Sequence, residues 1–305
     1  MEEYPMTFDE FIKRFSTEEQ CRDYLYKIRW PDGFICSKCG GSKCWKVREV
    51  WHECTKCHYQ VSVTAGTIFQ DTRKPLRSWF TAIWWVTTQK YGASAEGLQQ
   101  ILGLSSYETA WAWLHKIRKA MVNANRTKLC GDVEVDETYI GGVKIGGKAG
   151  RGSENKSLVV VATEFKGKIL GRIRLSVIKD ASGRSLKPFI EKNVEYGSKI
   201  VTDAWKGYSR IEESGYTREI HSQSQVGPDA KLLPHVHLVI SLLKRWLLGT
   251  HHGAIESKHL QAYLDEFVFR FNRRNSTKRG LLFYRLLENA MNTRPVTFDA
   301  ITGKN

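Results

Sequence analysis

The sequence predicts a mixed α+β fold, on three observations. Two Cys-x-x-Cys pairs lie near the N-terminus. Apolar residues at helical spacing dominate residues 71–128. From residue 129 onward the pattern gives three strands, a helix, two short strands and then helices. Together these indicate N-terminal helices with a zinc ribbon and a helix-turn-helix, followed by an RNase H-like α/β domain with a mixed five-stranded sheet.

Length and charge limit the class of protein. The chain has 305 residues, enough for two or three domains, with 47 basic against 32 acidic residues and a net charge of +15. This balance favours a polyanionic partner, most often nucleic acid. No apolar run approaches the roughly 18 residues of a membrane span, and the N-terminus lacks the order of a secretory signal. We therefore expect a cytoplasmic protein.

Four cysteines form the first candidate site. Each pair can hold a metal ion from a tight turn, and four thiolates at this spacing are typical of structural zinc. A redox pair is the alternative, but the duplicated motif disfavours it. We predict a zinc ribbon over residues 31–70, after a helical segment at 1–30, with these zinc ligands: Cys36, Cys39, Cys54 and Cys57.

The helical region at 71–128 contains a helix, a turn at Gly103 and a second helix starting near Tyr107. This pattern is typical of a helix-turn-helix, whose second helix would enter a major groove. An ordinary helical hairpin is the alternative. Three basic residues favour DNA binding: Lys116, Arg118 and Lys119.

The strand within residues 131–142 carries four acidic residues, which are Asp132, Glu134, Asp136 and Glu137. A carboxylate at core level needs a partner, and a divalent metal is one such partner. An exposed polar strand is the alternative. In an RNase H-like fold the first and fourth strands are neighbours, so Asp136 and Asp203 would approach each other. Asp180 competes with them, but it lies where a helix N-cap is expected.

A mostly apolar helix opens at Pro234. Its polar residues His237, Ser241 and Lys244 are spaced four and then three apart, and therefore share one face. His237 is a candidate third ligand, the alternative being a hydrogen-bonded core histidine. The Gly- and Lys-rich stretch 144–156 is either a phosphate-contacting loop or a plain hairpin tip.

These motifs resemble those of bacterial transposases of insertion-sequence family 1595, the ISXO-type group. The resemblance rests on the cysteine pairs, on Val-Glu-Val-Asp136-Glu-Thr-Tyr-Ile-Gly-Gly, on Val-Thr-Asp203-Ala-Trp-Lys-Gly-Tyr and on His237 with Ser-Leu-Leu-Lys244. It also includes the segment Tyr-Leu-Asp-Glu-Phe-Val-Phe-Arg-Phe-Asn-Arg-Arg274. The similarity covers nearly the whole chain.

The resemblance implies a DNA transposase with an Asp-Asp-His triad followed by lysine. Asp136, Asp203 and His237 would hold Mg²⁺ (or Mn²⁺), and Lys244 would contact a phosphate. The third position is histidine where an acid is commoner in the wider superfamily, and Glu256 is the rival third residue. Such an enzyme cleaves the ends of its element and joins them to target DNA, which implies a homodimer or higher oligomer in a synaptic complex.

The resemblance also implies further DNA contacts and domain limits. Terminal inverted repeats and target DNA would be the partners, and a C-terminal basic cluster would follow the backbone with Arg270, Arg273 and Arg274. The catalytic domain would span residues 129–285 and a tail 286–305. Two other functions are weighed against this one: a non-catalytic, zinc-dependent DNA-binding regulator (a domesticated transposase), and another RNase H-like nuclease.

Overall fold

The structure is a computed structural model that describes residues 3–123, 126–141, 156–222, 232–252 and 255–303. The Gly- and Lys-rich stretch from Lys144 to Asn155 lies outside these residues. The chain forms two compact units, Met1–Asn123 with Ser276–Asn305, and Ala124–Asn275. None of the described helices is both long and apolar enough to cross a membrane.

The elements of the first unit come from both ends of the chain. They are α1 (Phe8–Arg14), α2 (Glu18–Arg29), β1 (Cys44–Val47), β2 (Trp51–Cys54), β3 (Gln60–Ser62), α3 (Leu76–Thr88), α4 (Ala95–Leu102), α5 (Tyr107–Ala120) and, after the second unit, α9 (Arg279–Asn292) and α10 (Phe298–Thr302).

The second unit contains the remaining elements. They are β4 (Asp132–Ile140), β5 (Ser157–Lys166), β6 (Ile169–Ile178), α6 (Gly183–Asn193), β7 (Lys199–Thr202), β8 (Thr217–Ile220), α7 (Pro234–His251) and α8 (Leu260–Phe271).

Three helices of the first unit, α2, α4 and α5, begin where polar side chains cap them. Thr17 and Gln20 form a capping box at the start of α2. Ser94 caps α4, Gly103 ends it in the left-handed region at φ 59°, and Ser106 caps α5. Helices α4 and α5 thus form the predicted helix, turn and helix.

An aromatic cluster joins the two ends of the chain inside the first unit. The Phe283 ring on α9 lies 5.5 Å from the Phe11 ring, 5.8 Å from the Phe80 ring and 5.7 Å from the Trp84 ring. Aromatic rings at these separations add to the free energy of burial. Helix α9 therefore belongs to the core of the first unit, although it follows the second unit in sequence.

The second unit contains a five-stranded sheet in the order β6-β5-β4-β7-β8. Strands β4, β5 and β6 form an antiparallel meander, while β7 pairs parallel to β4 and β8 parallel to β7. This is the strand order of an RNase H-like fold, and it confirms the predicted mixed five-stranded sheet, including the contact between its first and fourth strands.

Helices cover both faces of this sheet. On one face Val133, Val135 and Ile200 pack in a core with residues of α6. On the other face Val159 and Val201 pack with residues of α7 and α8. Because side chains alternate along a strand, the even-numbered acids of β4 face α7, and Glu137 faces the α6 side.

Candidate functional site

The four predicted zinc ligands converge in the first unit. The Cys36 and Cys57 sulfurs lie 3.6 Å apart, as do those of Cys39 and Cys54. One donor atom from each of these four side chains lies within 4.8 Å of the others, and within the described part of the chain this is the group that could hold a metal ion. Tetrahedral zinc with sulfur at about 2.3 Å requires sulfurs about 3.8 Å apart, so the cluster fits a zinc ion.

The two cysteine turns share one backbone design. Gly40 follows the first pair with φ 72°, and His58 follows the second with φ 55°. In each turn the residue after the second cysteine donates its backbone N–H to the carbonyl of the first, at 2.9 Å. Burial acts to raise the pKa of Cys36, but hydrogen bonds from the Cys39 and Lys38 backbone lower it to about 7. A lowered pKa favours the thiolate that zinc binds.

The sheet register brings the two predicted aspartates to the same level. Glu134 on β4 pairs with Val201 on β7, and two further residues along the parallel strands lead to Asp136 and Asp203. The Trp205 backbone N–H donates to Asp203 Oδ1 at 2.9 Å, which fixes that carboxylate just beyond the strand. Both aspartates are half-buried.

His237 lies on the first turns of α7, and its Nε2 is 3.1 Å from Asp136 Oδ2. Its side chain is 45% exposed, so it faces the open edge of the sheet, contrary to the alternative of a core histidine. The structure thus brings His237 to Asp136 across 101 residues of sequence.

Glu134 connects the same strand to the same helix. Its side chain is 3% exposed, with Oε1 2.6 Å from His235 Nδ1, and Oε2 accepts the Val236 backbone N–H at 2.7 Å. The residue preceding α7 gives no side-chain cap. The buried carboxylate therefore caps α7 from the sheet, one and two residues before His237.

Glu137 faces the other side of β4. Its Oε1 accepts the Tyr208 hydroxyl hydrogen bond at 2.5 Å. Burial first, and then the Glu137 charge, raise the pKa of Tyr208 well above 10. Glu137 thus has a structural partner, and Asp132 at the strand start forms a half-exposed ion pair with Lys199 at 3.2 Å.

Lys244 lies seven residues after His237 on α7, which places it about two turns further along nearly the same face. It is exposed, and Ser241 between them donates its hydroxyl to the His237 carbonyl at 2.8 Å.

The rival Glu256 is 69% exposed and pairs with Lys258 at 2.9 Å. Asp180 does not occupy the N-cap position, which falls on Ser182, but its Oδ1 accepts the Ser182 N–H at 3.0 Å.

The predicted DNA-contacting residues differ in exposure. Arg118 is 2% exposed, because most of α5 is buried in the core of the first unit; its part in DNA binding stays a prediction. Lys119 is exposed and Lys116 half-buried.

The C-terminal arginines contact α8 and β6. Arg270 pairs with the buried Glu266 at 2.8 Å, the Arg273 guanidinium lies 4.1 Å from the Phe269 ring centroid, and Arg274 donates to the Gly171 carbonyl at 3.1 Å. Arg274 remains exposed.

Three contacts at the sheet edge have weak sequence signals. Tyr208 and Trp205 belong to the quoted motif around Asp203, yet nothing in their spacing indicates the bonds to Glu137 and to Asp203. Glu134 shares the parity of Asp136, which indicates the same face but not the cap on α7. The available sequence signal was that Glu134 and Asp136 share one face of β4 and therefore face the same helix.

The RNase H-like sheet, with two aspartates and a histidine at its edge, is compatible with enzymes that act on nucleic acids. Comparison with known proteins gives the family. Residues 128–272 match the ISXO2-like transposase domain, and residues 16–60 match the transposase zinc-ribbon domain, both of IS1595 elements. The chain belongs to the IS1595 transposases and is a DNA transposase.

Two individual proteins are similar to this chain. An uncharacterized protein in transposable element ISH50 of Halobacterium salinarum is 26% identical over 287 residues, covering 85% of this chain and 92% of the relative. The crystal structure of the catalytic core domain of BIV integrase is 18% identical and covers 49% of this chain and 88% of that one, with a TM-score of 0.31.

Proposed function

We propose that this transposase cleaves the ends of its insertion sequence and joins them to target DNA at a site formed by Asp136, Asp203, His237 and Lys244. The observation that carries the proposal is the meeting of β4, β7 and α7 at one edge, where Asp136 Oδ2 lies 3.1 Å from His237 Nε2. The two domain matches indicate a transposase, but they do not indicate which residues form its catalytic site.

The donor atoms at this edge suit a divalent cation. Two ligands of an octahedral ion with bonds near 2.1 Å lie about 3.0 Å apart, close to the separation of Asp136 and His237. Asp136, Asp203 and His237 would hold Mg²⁺ or Mn²⁺, which supplies activation of the attacking hydroxyl and stabilisation of charge at the phosphate. Imidazole nitrogen favours the softer of the two ions.

The chain's own residues orient the reactants. Asp203 is held by the Trp205 N–H, and α7 is held to β4 by Glu134, so the edge is preorganised before DNA binds. Lys244, two turns along α7, would contact a phosphate next to the one attacked, since a lysine ammonium is a mobile point charge. Glu256, paired with Lys258, is not assigned a part.

The remaining assignments follow from the family and the charge. The zinc ribbon and the α4–α5 region would bind the terminal inverted repeats, with Lys116, Lys119 and the exposed Arg274 near the backbone; Arg270 and Arg273 would assist from α8. We propose domain limits at 31–70 and 71–128, and a catalytic domain that begins at 129 and ends before α9. We also propose action in the cytoplasm and an oligomer of at least two chains, because two element ends must be joined.

The test is cleavage and joining of the element's own ends in vitro. Asp136→Asn and Asp203→Asn should each lower both rates by at least about a thousandfold, as expected when an electrostatic contribution of roughly 4 kcal/mol is lost, while end binding in a gel-shift assay stays within about threefold. Asp132→Asn on the same strand is the matched control. Unchanged cleavage by either site variant would refute the assignment, as would a harmless His237→Ala beside an inactive Glu256→Ala.

A further inference from the structure

A cavity of about 560 Å³ opens at the carboxyl end of β4, within the second unit. It is bounded by the end of β6, the start of β5 and the loop that leads into α6. Two half-buried aromatic side chains, Tyr139 and Trp205, contribute to its lining. Pockets of this volume are large enough to bury a small flat ligand.

Trp205 joins this cavity to the carboxylate edge. Its backbone N–H donates to Asp203 Oδ1 at 2.9 Å, and its indole N–H donates to the Ala181 carbonyl at 2.7 Å. These two bonds fix both the main chain and the ring. A ligand against Trp205 would therefore lie near Asp203, on the α6 side of β4 that Tyr139 shares with Glu137 and opposite to the side that Asp136 faces.

The lining has the chemistry of a nucleotide site. Aromatic faces stack on bases whatever their sequence, and Lys156 and Lys179 bring exposed ammonium groups that suit a phosphate. The one carboxylate, Asp180, is occupied, because its Oδ1 accepts hydrogen bonds from the Ser182 hydroxyl at 2.5 Å and the Ser185 hydroxyl at 2.9 Å. Its charge is thus directed at the start of α6.

We propose that this cavity receives one unstacked nucleobase of the DNA strand that is cleaved at Asp136 and Asp203. The proposal rests on the proposed function of that edge, and it adds a base-binding site to it. The base could be extruded from the duplex, or it could come from an end already unpaired. Enzymes that hold an extruded base do so by stacking it between aromatic or apolar side chains.

The kinetic test uses the full chain and duplexes of the element ends. Tyr139→Leu, which keeps bulk but removes the ring, should slow cleavage roughly tenfold, equal to about 1.4 kcal/mol, within the range for stacking of one base. Tyr139→Phe should cleave at nearly the wild-type rate. Tyr196→Leu is the matched control, since Tyr196 is a 77% exposed tyrosine of the same unit and does not line the cavity.

Abasic substitutions locate the base and separate stacking from a fold defect. With an abasic residue at the right position, wild type and Tyr139→Leu should cleave at equal rates, because no base remains to be stacked. A mismatch opposite that position should reduce the Tyr139→Leu defect if the base is extruded from the duplex, and leave it unchanged if the end is already unpaired. An equal defect on every substrate, or none on any, would overturn the proposal.

A binding measurement keeps this result distinct from failure of the proposed function. In complexes that keep the structural zinc but contain no added Mg²⁺ or Mn²⁺, 2-aminopurine at the located position should change its fluorescence with wild type and with Asp136→Asn, and not with Tyr139→Leu. If that signal is present while Asp136→Asn still cleaves, the catalytic assignment fails and the base site stands. If Asp136→Asn is inactive while every position gives the same fluorescence with Tyr139→Leu as with wild type, the base site fails alone.

Discussion

Truncation of Glu134 should loosen the helix that carries His237. The carboxylate is buried and interacts with His235 Nδ1 at 2.6 Å and the Val236 N–H at 2.7 Å. A buried polar group that loses its hydrogen-bond partner costs about 1–3 kcal/mol, and Glu134→Ala leaves two such groups, the Val236 N–H and the His235 ring. We therefore expect Glu134→Ala to lower the free energy of unfolding by about 3–5 kcal/mol.

Thermal unfolding and hydrogen exchange measure this effect at two scales. For a domain of about 150 residues, each kcal/mol moves Tm by roughly 2–4 °C, so Glu134→Ala should melt at least about 6 °C lower. The Val236 and His237 amides at the start of α7 should lose more protection than amides of α6, because the missing cap affects α7 directly. Glu134→Gln keeps an acceptor for the Val236 N–H and should lose less.

Asp132→Ala provides the comparison on the same strand. Its ion pair with Lys199 is about 40% exposed on both sides, and such surface pairs contribute about 0–1 kcal/mol. If Glu134→Ala melted within about 2 °C of Asp132→Ala, and the α7 amides kept their protection, Glu134 would not hold the helix. Loss of cleavage with normal protection would instead indicate a direct part for Glu134 in metal binding.

Three further results are expected. One zinc ion per chain should be found by metal analysis, and Cys36→Ser should lose it with unfolding of the ribbon, whereas the exposed Cys130→Ser should retain it. The protonated Tyr208 hydroxyl stabilises the fold below pH 10, and this contribution is lost as the pH rises through the higher folded-state pKa. In urea unfolding, wild type should therefore lose more stability than Tyr208→Phe between about pH 10 and 12. His237→Glu should raise the ratio of Mg²⁺-supported to Mn²⁺-supported cleavage, and an unchanged ratio would argue against His237 as a ligand.

Local patterns in the sequence were sufficient to predict the fold. The cysteine spacing gave the ribbon, and the order of strands gave the five-stranded sheet. The short strand at Lys199–Thr202 and the helix beginning at Pro234 lie where the pattern predicted them. Each of these features depends on neighbours in sequence or on the few connections that an RNase H-like order allows.

Side-chain partners across the fold were harder to predict. The basic charge of Arg118 favours DNA binding, but nothing in the sequence indicates that Arg118 is buried together with most of α5. The Glu134 cap and the Tyr208–Glu137 bond join residues 102 and 71 positions apart. Sequence periodicity indicates which residues share a face of one element, but it does not indicate contacts between residues so far apart in sequence. Only the packing of α7 and of the segment after β7 on the sheet determines these pairs.

Strand parity explains why β4 can carry so many acids. Glu134 and Asp136 both face α7: Glu134 caps the helix at Val236, and Asp136 contacts the His237 side chain. Glu137 lies on the opposite face and accepts a hydrogen bond from Tyr208. A slip of one residue would exchange these faces and break all three contacts. The alternation also accounts for a histidine at position 237. Because Glu134 and Asp136 already place two carboxyl groups on the side of β4 that faces α7, an imidazole at position 237 avoids the repulsion that a further carboxylate would bring.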